Sequence, residues 1–135
     1  MSAAPPAHTT LVRVRYADTD KMDVVYYANY FRWFEIGRTE WFRHSGHSYT
    51  DIEAGGISLP VLDAACHYRR PARYDDEVAI TARTRLVSPV RLRFDYEIRR
   101  VLDDLMLATG YTVHAGVNRD GRPCRLPDEV TRLLA

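Results

Sequence analysis

The sequence predicts an α+β domain in which a five-stranded antiparallel sheet wraps around one long helix. Three observations carry that expectation. Apolar and polar residues alternate in several runs, the period of a half-buried strand. Between Tyr26 and Ser45 the pattern changes: Tyr30, Phe34, Gly37 and Trp41 fall at spacings of four, three and four, which lines one helix face. The last three strand runs are separated only by short turn signals, so they form a meander. A single helix covers such a sheet only if the sheet curves about it.

Taken in order, residues 1–9 read as an Ala/Pro-rich, flexible lead-in and residues 10–135 as one domain. From Thr10 to Tyr16, Val12, Val14 and Tyr16 share one face and Arg13 and Arg15 the other. Ala17 to Val25 form a loop. The helix runs from Tyr26 to about Ser45, ended by Ser45-Gly46. Gly37 costs about 1 kcal/mol in mid-helix relative to Ala, which a close crossing with the sheet explains. His47 to Ser58 is a polar connection. Leu59 to Arg69 is a strand with an edge or interface role, broken by Arg70-Pro71. Val78, Ile80, Ala82, Thr84 and Leu86 face one way on the next strand. After Ser88-Pro89, Leu92, Phe94, Tyr96 and Ile98 alternate with Arg91, Arg93, Asp95, Glu97 and Arg99. After Asp103-Asp104, Leu105, Leu107, Thr109, Tyr111, Val113 and Ala115 form one face of the last strand. Asp120-Gly121 closes it, and Pro127 opens a short terminal helix.

The composition bounds the function. With 46% hydrophobic residues the chain can build a core, and a net charge of +1 gives no reason to expect a nucleic-acid partner. No apolar stretch has membrane-spanning length and no signal peptide is read at the N-terminus. Two cysteines outside any CxxC pair, Cys66 and Cys124, suit free thiols in a reducing compartment, so a cytoplasmic location is expected. Asp18, Asp20 and Asp23 do not have the spacing of a calcium loop, and His44 and His47 lack further ligands for zinc; no metal and no cofactor are expected.

Those three aspartates are nevertheless the most informative feature of the chain. They stand just before the long helix, where backbone N–H groups are free. They either turn and cap the chain or place an acid beside donors able to hold an oxyanion.

Tyr16-Ala17-Asp18-Thr19-Asp20, Val24-Val25-Tyr26-Tyr27-Ala28-Asn29-Tyr30, Phe34-Glu35 and Arg38 resemble the hot-dog-fold acyl-CoA thioesterases. The nearest branch is that of 4-hydroxybenzoyl-CoA thioesterase and the Tol–Pal-associated thioesterases. Leu59-Pro60-Val61 and Pro71-Ala72-Arg73-Tyr74-Asp75-Asp76 extend the resemblance, which runs from about Leu11 to Leu126. It implies a homodimer with joined sheets that assembles into a homotetramer, an active site at the dimer interface and an acyl-CoA substrate. Asp20 matches the catalytic carboxylate, a nucleophile or a general base. The N–H of Tyr27 matches the donor to the thioester oxygen. Arg91 and Arg93, on one strand face after the Ser88-Pro89 turn, match a region that contacts the nucleotide.

The chain departs from the family in two places: Asp23 stands where Gly is usual, a position suited to positive φ, and Tyr27 stands where one branch has a catalytic His. Arg69, Arg70 and Arg73 form a second basic cluster and a second candidate for the coenzyme A phosphates, with Arg91 and Arg93 the better pair because they share one strand face. Asp18 is read as structural, Asp63 as an edge polar residue that could also reach the site, and Glu35 and Arg38 as a pair with each other or a neighbour. The expected reaction is hydrolysis to free acid and coenzyme A. The alternative is a non-catalytic acyl-thioester-binding protein. A dehydratase is disfavoured because Val25, not His, follows Asp20 by five residues.

Overall fold

The computed structural model describes residues 7–134. Its sheet contains β1 (Ala7–Arg13), β2 (Val61–Tyr68), β3 (Glu77–Ser88), β4 (Arg91–Arg100) and β5 (Leu105–Ala115), in the antiparallel order β1-β3-β4-β5-β2. The helices are α1 (Asn29–His44), α2 (Tyr49–Ala54) and α3 (Asp128–Leu134). The expected α+β architecture is observed, including the β3-β4-β5 meander.

Helix α1 packs on β1, β3 and β4. Its stripe of Tyr30, Phe34, Gly37 and Trp41 is buried, together with Trp33 and Phe42. Phe34 stacks on Tyr96 with centroids 4.3 Å apart, and Trp41 meets Phe94 edge-on at 5.6 Å. Burying an aromatic or aliphatic side chain of this size contributes about 1.5–3 kcal/mol, so this seam supplies much of the driving force for folding. Gly37 marks the crossing: a Cβ there would lie 2.8 Å from Ile80 Cγ2. The buried faces of β3 and β4 are those expected, Val78 to Thr84 and Leu92 to Ile98.

Several details differ from expectation. Strand β1 starts at Ala7, inside the expected lead-in, because residues 7–9 pair with Thr81–Arg83; residues 1–6 lie outside the described set. That strand also ends at Arg13, and Tyr16 sits 79% exposed in a 3-10 turn over Tyr16–Asp18. The His47–Ser58 connection contains α2, whose start is capped by Ser48 accepting from the Asp51 N–H at 3.2 Å. The largest difference lies in β5. A bulge shifts the register from Ile98↔Ala108 to Arg99↔Met106, leaving Leu107 as the extra residue. The side-chain alternation reverses there. Ala108, Thr112 and His114 are buried, whereas Thr109, Tyr111 and Val113 are only partly covered. Gly110 shares the inward register, with no room for a side chain: a Cβ would lie 2.5 Å from Phe34 Cζ.

Candidate active site

The loop between β1 and α1 is held by Asp18. Its carboxylate accepts from the Arg15 N–H at 2.8 Å and lies 3.6 Å from the Arg32 guanidinium. Its carbonyl accepts from the Tyr26 N–H and from Asn29 Nδ2, both at 2.9 Å. One buried residue thus ties the start of the loop to its end and to the helix. The Tyr26 amide is consumed in that tie, so regular α-helix begins at Asn29 rather than at Tyr26. The first turn closes through three-residue bonds from Asn29 to Tyr26 and from Tyr30 to Tyr27, with Ala28 already helical.

Asp20 sits at the neck of a tight turn. Its N–H donates to the Val24 carbonyl at 2.9 Å and its carbonyl accepts from Asp23 at 3.0 Å. Asp23 has φ of 62°, in the left-handed region that the family's glycine would occupy without strain. The half-buried Asp20 carboxylate accepts from the Met22 N–H at 2.8 Å through Oδ1. No other donor is bonded to it among the described residues. Its charge reaches Tyr26, whose hydroxyl is pushed above its ordinary pKa first by its hydrogen bond with Tyr27 and further by Asp20.

The Tyr27 and Ala28 N–H groups have no acceptor among the described residues. They are free donors at the positive end of a 16-residue helix. The Tyr27 carbonyl is anchored from the sheet: the Tyr68 hydroxyl donates to it at 2.8 Å. Tyr68 also stands edge-on to Tyr30 at 5.0 Å, and burial raises its pKa. The Tyr30 hydroxyl accepts from the Ala72 N–H at 3.2 Å, and the Ala72 carbonyl accepts from the Val25 N–H at 2.8 Å. These elements enclose a recess of about 280 Å³ lined by Val24, Val25, Tyr27, Tyr30, Tyr68, Arg69, Arg70 and Pro71.

The other expected site residues fall elsewhere. Arg93 is ion-paired with Asp95 at 3.0 Å and lies 4.1 Å over the Tyr111 ring, lining a separate recess with Ala65, His67 and Thr109. Arg91 is exposed at the start of β4. Neither lines the Tyr27 recess. Asp63 accepts from the Tyr111 hydroxyl at 3.1 Å in the same neighbourhood as Arg93. Glu35 and Arg38 form no ion pair with each other; the Arg38 guanidinium instead lies beside the Tyr96 hydroxyl, whose pKa is raised by burial and partly restored by that charge.

Reading the sequence missed His114, because the bulge turns it inward. It lines a cavity of about 160 Å³ with Glu35, Arg38, Thr39, Phe42, Tyr49, Leu59 and Phe94. Nδ1 is 2.9 Å from the Leu59 carbonyl, which can only accept, so Nδ1 carries the proton. Nε2 then accepts from the Thr112 hydroxyl at 2.8 Å, and Thr112 accepts from Tyr96 at 2.6 Å. Burial lowers the His114 pKa to about 4 and keeps the ring neutral. Both ring nitrogens of His114 are thus engaged within the protein.

A family model described as the thioesterase-like superfamily matches residues 14–134. The chain belongs to that superfamily. A provisionally named esterase of Aquifex aeolicus is 31% identical over 122 residues, covering 90% of this chain and 93% of that protein. An acyl-CoA thioester hydrolase of Escherichia coli O6:H1 is 41% identical over 69 residues, 51% of this chain and 52% of that one. Among solved structures, the DHNA-CoA thioesterase of Staphylococcus aureus superposes with a TM-score of 0.83 at 33% identity, covering 88% of this chain and 80% of that one. The thioesterase-like chain thus has the hot-dog architecture that its motifs resemble. Among its described residues no helix is long and apolar enough to cross a membrane.

Proposed function

We propose that this protein hydrolyses an acyl-CoA thioester to a free acid and coenzyme A. The carrying observation is that the segment leading into α1 holds both a carboxylate with a single hydrogen bond, Asp20, and, at the helix start, N–H groups of Tyr27 and Ala28 with no acceptor among the described residues. A thioester carbonyl bound between them would be attacked on carbon while its oxygen gains charge against the Tyr27 N–H. With Asp20 as general base, it takes the proton of the attacking water. The C–S bond then breaks, and the thiolate leaves and collects a proton. With Asp20 as nucleophile, its carboxylate adds to the carbonyl and displaces the thiolate to form an acyl anhydride, which water then hydrolyses, releasing the acid and restoring the carboxylate. The helix dipole favours the oxyanion in either route. The activity named for the E. coli and S. aureus relatives supports this reading.

The active unit would be a homodimer, itself assembling into a homotetramer. Strand β2 ends the sheet, its outer edge unpaired among the described residues, and Val61 and Leu62 on it are 45% and 50% exposed. An edge this long and apolar is suited to a second copy. Contact of Arg91 and Arg93 with the coenzyme would then come across a subunit boundary. A monomer by sedimentation equilibrium would refute the assembly. The free thiols Cys66 and Cys124 suit a cytoplasmic setting.

The deciding experiment is thiol release across an acyl-CoA panel with short, long and aromatic acyl groups, with Asp20→Asn alongside. Turnover by the parent and a loss of about 10²-fold or more in the variant are expected. Equal rates would remove Asp20 from the chemistry. Saturable binding without thiol release would make the protein a carrier instead.

A further inference from the structure

We infer that Arg69 and Arg70 form the counter-charge for an anionic group on the thioester ligand, a role separate from that of Arg91 and Arg93. This inference rests on the thioesterase reading and deepens it.

The recess that Tyr27 lines is formed by aromatic and aliphatic residues apart from Arg69 and Arg70, the charged members of its lining. Both are exposed, and neither is ion-paired among the described residues, whereas Arg93, Arg99 and Arg100 on the sheet each hold a carboxylate. Their backbone is fixed. The Arg69 and Arg70 N–H groups both donate to the Leu107 carbonyl, at 2.9 and 3.1 Å, and Pro71 follows with a locked φ. Ala72, fully buried, is then clamped between Tyr30 and Val25. Arg73 continues the basic run and directs its guanidinium to the Asp23 carbonyl at 3.4 Å. None of the loop aspartates, Asp18, Asp20 or Asp23, is ion-paired with Arg69 or Arg70 among the described residues; Asp18 engages the Arg15 N–H and the Arg32 guanidinium, and Asp20 the Met22 N–H.

Two arginines on a hydrogen-bonded backbone just past the end of β2, beside an apolar recess, are matched by a ligand with an apolar body and a negative charge. A thioester offers that charge in two places: the phosphates of coenzyme A, or a carboxylate on the acyl group.

The test compares Arg69→Gln/Arg70→Gln with the parent on four thioesters. Neutral and ω-carboxylated acyl groups are each carried on coenzyme A and on N-acetylcysteamine, which lacks phosphates. A rise in KM of about tenfold or more is expected wherever the recognised anion is present, with kcat little changed. Loss with both coenzyme A substrates but neither truncated one identifies the phosphates. Loss that follows the carboxylated acyl group on either carrier identifies the acyl carboxylate. Arg69→Lys/Arg70→Lys restores part of the affinity in either case. The same kinetic constants for variant and parent on all four thioesters, or an equal loss on all four, overturns the inference. If the parent turns over none of them, the thioesterase reading fails. Calorimetric titration with coenzyme A and with adipate then tests the site alone: weaker binding of either in the double variant supports it, and unchanged binding of both overturns it.

Discussion

Acidification removes a defined share of this protein's stability through His114. The ring is 2% exposed, and burial holds its pKa at about 4 against an ordinary 6.5. Arg38 on α1 pushes in the same direction, while the Leu59 carbonyl opposes. Glu35 on α1 and Tyr49 on α2 are the other ionisable groups lining its cavity. Between those pH values the unfolded chain binds a proton that the folded chain refuses, so stability falls as pH falls from about 6.5 towards 4. At 1.36 kcal/mol per pH unit the full gap is about 3 kcal/mol, and about 2 kcal/mol of it is lost between pH 7 and pH 5. The assay is urea denaturation at one protein concentration, at both pH values, on the parent and His114→Gln. The variant starts less stable because it breaks the Leu59 and Thr112 bonds, by about 1–3 kcal/mol. Its stability then declines less with acid than that of the parent. Parallel declines in the two proteins would show that His114 is not the titrating group and refute the argument.

Three further outcomes follow from the packing. Tyr68→Phe removes only the hydroxyl that anchors the Tyr27 carbonyl, so kcat falls several-fold at unchanged KM while stability drops by about 0.5–1.5 kcal/mol; unchanged kcat, with the Tyr27 amide exchanging as before, would sink that role. Gly110→Ala drives a Cβ to 2.4 Å from the Ala65 carbonyl oxygen as well as into Phe34, and thermal melting is expected to report a loss of about 3 kcal/mol or more, or no folded protein. Asp23→Gly relieves a left-handed backbone position and is expected to raise stability by up to about 1 kcal/mol in chemical denaturation, a sign that strain-free Asp at φ 62° would reverse.

What the sequence made legible, and what it hid, divides along one physical line. On β3 and β4 apolar and polar residues alternate strictly, so one face is unambiguous. The α1 stripe was equally plain, and Gly37 announced its own close crossing. The β5 bulge was hidden because Met106, Leu107 and Ala108 are all apolar, so the alternation carries no phase at the very point where it reverses. Helix α2 is six residues long, too short to show a period, and its only trace was Ser48 three residues before Asp51. At the candidate site, local chemistry flagged the three aspartates and the helix start, and the family resemblance singled out Asp20 and Asp23 among them. The recess was not legible, since Tyr68, Arg69 and Arg70 reach Tyr27 only through pairings some forty residues apart, such as Tyr68 to Tyr27 with a separation of 41.

That same separation explains how a short polar loop can serve as a site at all. Left alone, Ala17 to Val25 would be a flexible connection, and the cost of ordering it would fall on every encounter with ligand. Here it is restrained from within and from two distant parts of the chain. Asp18 joins Arg15 to Tyr26 and Asn29, Ala72 holds Val25 from the segment after β2, and Tyr68 fixes the Tyr27 carbonyl from β2 itself. None of these bonds uses the Tyr27 N–H, and none but that of Met22 uses the Asp20 carboxylate. The restraint is therefore borne by groups outside the proposed chemistry, and among the described residues the Tyr27 N–H keeps no acceptor and the Asp20 carboxylate a single donor. Preorganised donors of this kind stabilise a developing charge without reorganising at the moment of reaction. It follows that breaking a restraint should lower kcat with little change in KM, whereas removing the basic pair at the recess should do the reverse.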